Sequence, residues 1–159
     1  MRRVRLLPSG QDADAAALLL RLVVGPLMAY HGWTKLGAGF GRFDQLVQGL
    51  GVPAPGVVAR AVVVIELVGG LCLLAGLLTR VWALLLAAQM VSIVFVVKWD
   101  NGLVGVPGKS GFELDLLIAV CAATLFLIGP GLFALDRVLS LEGQREPERA
   151  PRTETAARA

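Results

Sequence analysis

Apolar positions gather into long runs, and polar residues collect at the chain ends and in short breaks. The first run covers about residues 15–33, with Arg21 near its start and Gly25-Pro26 in its middle. A proline there removes one backbone hydrogen bond and should kink the helix. Residues 57–97 form an apolar stretch of 41 positions in which the charged breaks are Arg60, Glu66 and Arg80. At about 1.5 Å per residue they would make roughly 60 Å of helix, twice a bilayer core, so two spans are expected. The turn is placed at Thr79-Arg80, giving spans of about 57–78 and 81–97. A polar loop follows, then a fourth span of about 112–128, stopped by Gly129-Pro130-Gly131. Between the first two spans, Phe43, Leu46, Val47 and Leu50 recur at i, i+3, i+4 and i+7, before Gly51 and Pro53. That spacing predicts a short amphipathic helix lying on the membrane surface.

The expected architecture is all-α: a four-helix transmembrane bundle over residues 15–139 with a short amphipathic surface helix between spans one and two. Residues 1–14 would be a cytoplasmic N-terminal segment and 140–159, polar and proline-containing, a flexible cytoplasmic tail. Composition supports a membrane class, with 56% hydrophobic residues over 159 positions and a mean hydropathy of +0.72, too apolar for an ordinary soluble domain. The net charge of +3 forms no basic face or nucleic-acid motif, so nucleic acid is not an expected partner. The opening "MRRVR" could begin a signal peptide, but "PSGQDADA" interrupts it and no cleavage site follows the apolar core. Cys72 and Cys121 lie deep in apolar runs, make neither a CxxC pair nor a metal-ligand spacing, and are expected to be unpaired.

Orientation follows the distribution of Lys and Arg. With both termini inside, that side carries nine (Arg2, Arg3, Arg5, Arg80, Arg137, Arg145, Arg149, Arg152 and Arg158) and the other five (Lys35, Arg42, Arg60, Lys98 and Lys109). The protein is thus expected in a bacterial plasma membrane, multi-pass, with both termini cytoplasmic.

An ionisable group deep in a bilayer costs roughly 2.5–3.5 kcal/mol and so needs a partner or a cavity. Glu66 sits about 13 Å along span two, too far to reach water, and needs a cation or a proton. His31 and Lys35 end span one and Glu113 begins span four, all in the same half of the bilayer. The site expected is therefore a ligand or proton pocket of His31, Lys35, Glu66 and Glu113. The plainer reading makes Lys35 an interfacial anchor, His31 a headgroup neighbour and Glu66 a structural partner. Arg21, Arg80, Gln89 and Asp115 are secondary polar positions: Arg21 would snorkel to headgroups, and Asp115, two residues past Glu113, would point to a different face.

An Arg early in span one, "HGWTKL", "GLGVP", "ELVGGLCLLAGLLTRVWA", "GFELDLL" and "GPGLFALD" follow one another in an order and spacing that resemble the DoxX family of small bacterial membrane proteins. The likeness extends over about residues 18–137. It implies a four-helix membrane bundle and a link to redox work, since relatives include subunits of thiosulfate:quinone oxidoreductase. It also implies assembly with soluble redox enzymes in oxidative-stress defence. The matching polar positions are Arg21, His31, Lys35, Glu66, Arg80, Glu113 and Asp136; Asp115 departs from the small or apolar residue usual there.

Three functions compete. A quinone-linked redox subunit needs donors at the ring oxygens and a proton path, which a His or Lys with nearby carboxylates supplies. No haem, flavin or iron–sulfur motif is present, so no cofactor is evident in the sequence; in this reading the ligand would be quinone, and the electrons would come from a partner. A membrane scaffold would recruit soluble redox enzymes without chemistry of its own. A small-solute carrier or pore would require a homo-oligomer, because four spans are few for a transporter.

Overall fold

A computed structural model describes residues 10–139; residues 1–9 and the tail expected at 140–159 lie outside the described part. Helix α1 runs Gly10–Gly37, α2 Phe40–Gly49, α3 Pro55–Ala75, α4 Thr79–Ile93, α5 Glu113–Ile128 and α6 Leu135–Val138. A π-helical turn, Val94–Lys98, and a 3-10 turn, Trp99–Asn101, prolong α4. The expected polar loop after span three is thus partly helical, and it also holds an antiparallel hairpin of β1, Gly105–Val106, and β2, Lys109–Ser110. The four long helices pack side by side, α1 on α3 and α4 on α5, with α3 on α4 and α1 on α5 closing the group. Helix α2 packs mainly on α3. Three helical units, Gly10–Gly37, Pro55–Ala75 and Thr79–Asn101, are long and apolar enough to cross a membrane. Helix α5 is as apolar but has 16 residues, about 24 Å of rise.

The core holds Ala17, Val24, Met28, Leu73, Ala83, Leu86, Ala122 and Leu125. Outward-facing Leu19, Val23, Val57, Leu71, Val120 and Leu127 are more than half exposed, an apolar perimeter suited to lipid. Small residues permit the closest approach. A Cβ on Gly25 would meet the Gly70 carbonyl oxygen and the Leu74 nitrogen at 2.9 Å, and one on Gly32 would overlap the Leu67 backbone. Without water to drive apolar surfaces together, such backbone contact is what holds membrane helices. Helix α1 continues through Pro26.

At the base, where α3 ends and α4 begins, the turn is tighter than the sequence suggests. Gly76 closes α3 in the left-handed region (φ 71°), and Leu78 precedes α4 at φ 49°. The Asp136 carboxylate accepts hydrogen bonds from the Leu78 nitrogen at 2.6 Å and the Thr79 nitrogen at 2.8 Å, capping α4 across the chain. Helix α4 therefore starts at Thr79 rather than near residue 81.

Arg21 corrects the expectation of a headgroup anchor. Its side chain is 1% exposed. All five of its N–H groups donate to backbone carbonyls: Nε to Leu73 at 2.8 Å, one terminal nitrogen to Pro130 at 2.8 Å and Leu132 at 2.9 Å, the other to Leu74 at 2.9 Å and Phe133 at 3.4 Å. Two of these carbonyls belong to the last turn of α3, where Leu73 also accepts from the Gly76 nitrogen at 3.1 Å and helix geometry leaves the Leu74 carbonyl to Arg21. The others belong to the turn after α5, where Phe133 takes a positive φ of 50°. A planar guanidinium presents five donors in a fixed fork, so it fastens three chain segments at once. Arg80, also at the base, donates to the Phe126 carbonyl at 3.1 Å.

Candidate functional site

The opposite end, the head, contains a cavity of about 450 Å³. Its walls follow from helical periodicity. Met28, His31 and Lys35 form one stripe of α1; Val58, Val62 and Glu66 form one stripe of α3. Gln89 and Ile93 come from α4, Lys98 from its π-helical turn, and Asp115 and Ile118 from α5. Helix α2 and the residue that follows it supply the roof: Phe43, Leu46, Val47 and Leu50, expected on a helix at the membrane surface, line the cavity. Of these four, Val47 is buried and Leu46 stays 55% exposed.

The polar groups form two clusters. Glu66, 1% exposed, makes an ion pair with Lys35, whose ammonium bonds both carboxylate oxygens. The Gln89 amide donates to Glu66 Oε1 at 2.7 Å. The Lys35 ammonium also lies 5.5 Å from the centre of the Phe43 ring in the roof. In the second cluster Lys98 donates to Asp115 Oδ2 at 2.6 Å. Every carboxylate lining the cavity thus faces an ammonium, as burial requires.

Of the buried side-chain polar atoms without a partner among the described residues, one belongs to a residue that lines the cavity. The Gln89 Oε1 is shielded from solvent and has no hydrogen-bond partner. The amide is not free to turn over, because only its NH2 end can bond a carboxylate acceptor.

The structure brings together three of the four residues expected in the pocket: His31, Lys35 and Glu66 line one cavity, and the last two are in direct contact. Glu113 is excluded and lies exposed at the start of α5. It lies two positions before Asp115, about 200° around a helix, so both cannot face inward. Asp115, read as secondary, is the residue that does. A signal for this exists in the sequence: Asp115, Ala119 and Ala122 form one helical stripe, and small residues mark the helix-packing side. Gln89 moves from secondary to central. Lys98 was missed because it was assigned to a loop; the π-helical turn shifts the register that carries it inward. Arg21 and Arg80 lie at the base, away from the cavity. His31 borders the cavity, and among the described residues no hydrogen bond joins its ring to either ion pair. Among the described residues no group of three His, Cys, Asp or Glu gathers as a metal site. Cys72 and Cys121 are unpaired.

Long apolar helices enclosing a charged cavity define a helical membrane protein with an internal polar site. The DoxX family profile matches residues 16–99, and the chain belongs to that family. The matched stretch carries Lys35, Glu66, Gln89 and Lys98; Asp115 lies beyond its end. The chain is 32% identical to the "Inner membrane protein YqjF" of Escherichia coli (strain K12), over 80% of this chain and 94% of that one. It is 34% identical to the "Uncharacterized membrane protein Rv3486" of Mycobacterium tuberculosis (strain ATCC 25618 / H37Rv), over 81% and 84%. It is 29% identical to the "Putative oxidoreductase CatD" of Bacillus subtilis (strain 168), over 77% and 86%. No solved structure matches at a significant level.

Proposed function

We propose that this protein is the membrane subunit of a redox system and that its head cavity binds a quinone. The observation that carries the reading is the cavity itself: about 450 Å³, walled chiefly by apolar side chains, with two lysine–carboxylate pairs as its main polar features. That combination suits a ligand with an apolar body and a few polar atoms. A quinone partitions into the bilayer, and when bound it supplies two-electron, two-proton chemistry between lipid-soluble and protein-bound carriers. Of the three N–H donors each ammonium carries, Lys98 commits one to Asp115, leaving donors for a ring oxygen. Asp115 and Glu66, held by their lysines, are placed to hold protons near that oxygen. His31 adds a ring nitrogen on the same wall. The electrons would come from a soluble partner. The oxidoreductase name of the Bacillus relative agrees with redox work.

In this reading α1, α3, α4 and α5 all cross the bilayer of a bacterial plasma membrane as a four-helix transmembrane bundle. Helix α2 would lie at its outer surface as a roof, amphipathic along its length. Residues 1–14 and 140–159 would be cytoplasmic, as the nine-to-five bias of Lys and Arg favours. Cysteines introduced by Gln45→Cys and Arg145→Cys test the orientation: an impermeant thiol reagent on intact cells should reach the first and miss the second, and the reverse refutes it.

The function is tested by purifying the protein in native lipid discs and extracting its small molecules. A quinone retained by the wild type and lost from Val62→Trp, which fills the cavity, is the expected result. Soluble redox enzymes co-purifying without quinone would transfer the case to the scaffold reading. A protein that retains neither leaves the carrier reading, with a homo-oligomer as its requirement.

A further inference from the structure

The unmatched Gln89 oxygen says which kind of polar group the cavity accepts. Its orientation is set by a chain of contacts reaching across three helices. Lys35 on α1 binds Glu66 on α3, and Glu66 accepts from the Gln89 amide on α4. A carboxylate cannot donate, so the amide NH2 must face Glu66 and the amide oxygen must face away. That oxygen then has no donor among the described residues, although Gln89 is 8% exposed and lines the cavity. Leaving a buried acceptor unmatched is costly, and a hydroxyl or N–H on a ligand removes the cost, whereas a carbonyl oxygen set against it adds repulsion between lone pairs.

We propose that the head cavity selects ligands that present a hydrogen-bond donor to Gln89, and therefore binds the hydroquinone in preference to the quinone. The second half rests on the quinone reading; the first does not. Lys35 and Glu66 act here as positioning residues, because they fix which end of the Gln89 amide is available. One hydrogen bond made against one lost corresponds to about tenfold in affinity. Tighter binding of the reduced form by tenfold raises the potential of the bound two-electron couple by about 30 mV. The cavity would then favour the ligand's accepting electrons while bound.

The test is equilibrium dialysis of the full chain in lipid discs, without oxygen, using three probes: a short-chain benzoquinone, the hydroquinone made from it by dithionite, and a phenol of similar size that has no redox chemistry. The hydroquinone should bind about tenfold more tightly than the quinone, and the phenol should bind measurably. Gln89→Met should remove the preference by weakening the hydroquinone and phenol while sparing the quinone. Glu66→Gln provides a second variant of native shape. Gln at 66 can donate to the Gln89 oxygen and let the amide turn over, so the preference should vanish although Gln89 is still present. Equal affinity for quinone and hydroquinone in the wild type, or a preference that survives both substitutions, overturns the inference and leaves the quinone reading standing. Phenol binding that depends on Gln89, with no binding of either quinone form, upholds donor selection and refutes the quinone reading. Binding of none of the three refutes both.

Discussion

Replacing Arg21 with methionine tests the base of the fold. The perturbation keeps an unbranched chain of similar reach and removes five donors, each of which meets a backbone carbonyl. Polar contacts between membrane helices average about 0.6 kcal/mol, so five come to about 3 kcal/mol. Charged donors in water-excluded sites run higher, about 1.5 kcal/mol each, which would give roughly 7.5 kcal/mol. Against this, methionine is spared the desolvation of a buried charge, so the lower figure, about 3 kcal/mol, is the expected loss. Arg21→Lys keeps the charge but offers three donors; with Leu73 still bonded by the Gly76 nitrogen, at least one of the other four carbonyls loses its donor, at about 1 kcal/mol or more. Arg60, whose side chain is 60% exposed, serves as the control, with a loss within about 0.5 kcal/mol for Arg60→Met. The assay is unfolding of the purified protein in mixed micelles, with helicity followed as sodium dodecyl sulfate increases. The expected order of stability is wild type and Arg60→Met together, then Arg21→Lys, then Arg21→Met. If Arg21→Met unfolds with Arg60→Met, the five bonds do not hold the base and the reasoning fails.

Asp136→Ala removes the acceptor for the Leu78 and Thr79 nitrogens; loss of a cap of this kind should cost about 0.5–2 kcal/mol in the same assay. Gly32→Ala places a methyl group against the Leu67 backbone and should cost about 1–3 kcal/mol or prevent accumulation. Gly41→Ala in α2 has open space around it and should match or exceed wild-type stability. Lys35→Ala leaves the buried Glu66 carboxylate without its cation and should lower stability more than Glu113→Gln, which alters an exposed side chain and should leave both stability and ligand binding unchanged. Asp115→Asn should weaken ligand binding where Glu113→Gln does not; equal effects of the two would show that the wrong face of α5 has been assigned to the cavity.

Much was decided by the sequence alone. The apolar runs announce helices of membrane length, because every backbone polar group in lipid must be satisfied within its own segment. A lone Glu66 inside such a run announces a partner, because an unpaired charge there is too costly, and only a few cations share its half of the bilayer. That reasoning led to Lys35. What the sequence does not contain is the rotation of each helix about its axis. Helix α5 is apolar on all sides, so only its small residues Ala119 and Ala122, in line with Asp115, hint that Asp115 and not Glu113 faces inward; packing against α4 decides it. The same holds for Arg21, which an extended side chain could carry either to headgroups or inward. Its five acceptors come from α3 and from the turn after α5, segments 52 to 112 residues away along the chain. The π-helical turn that carries Lys98 to Asp115 and the placement of α2 over the cavity are also outcomes of packing. Local periodicity determines which elements form, since it depends on neighbours a few residues apart. Which faces meet is determined by how whole helices fit together, and the site is built from faces.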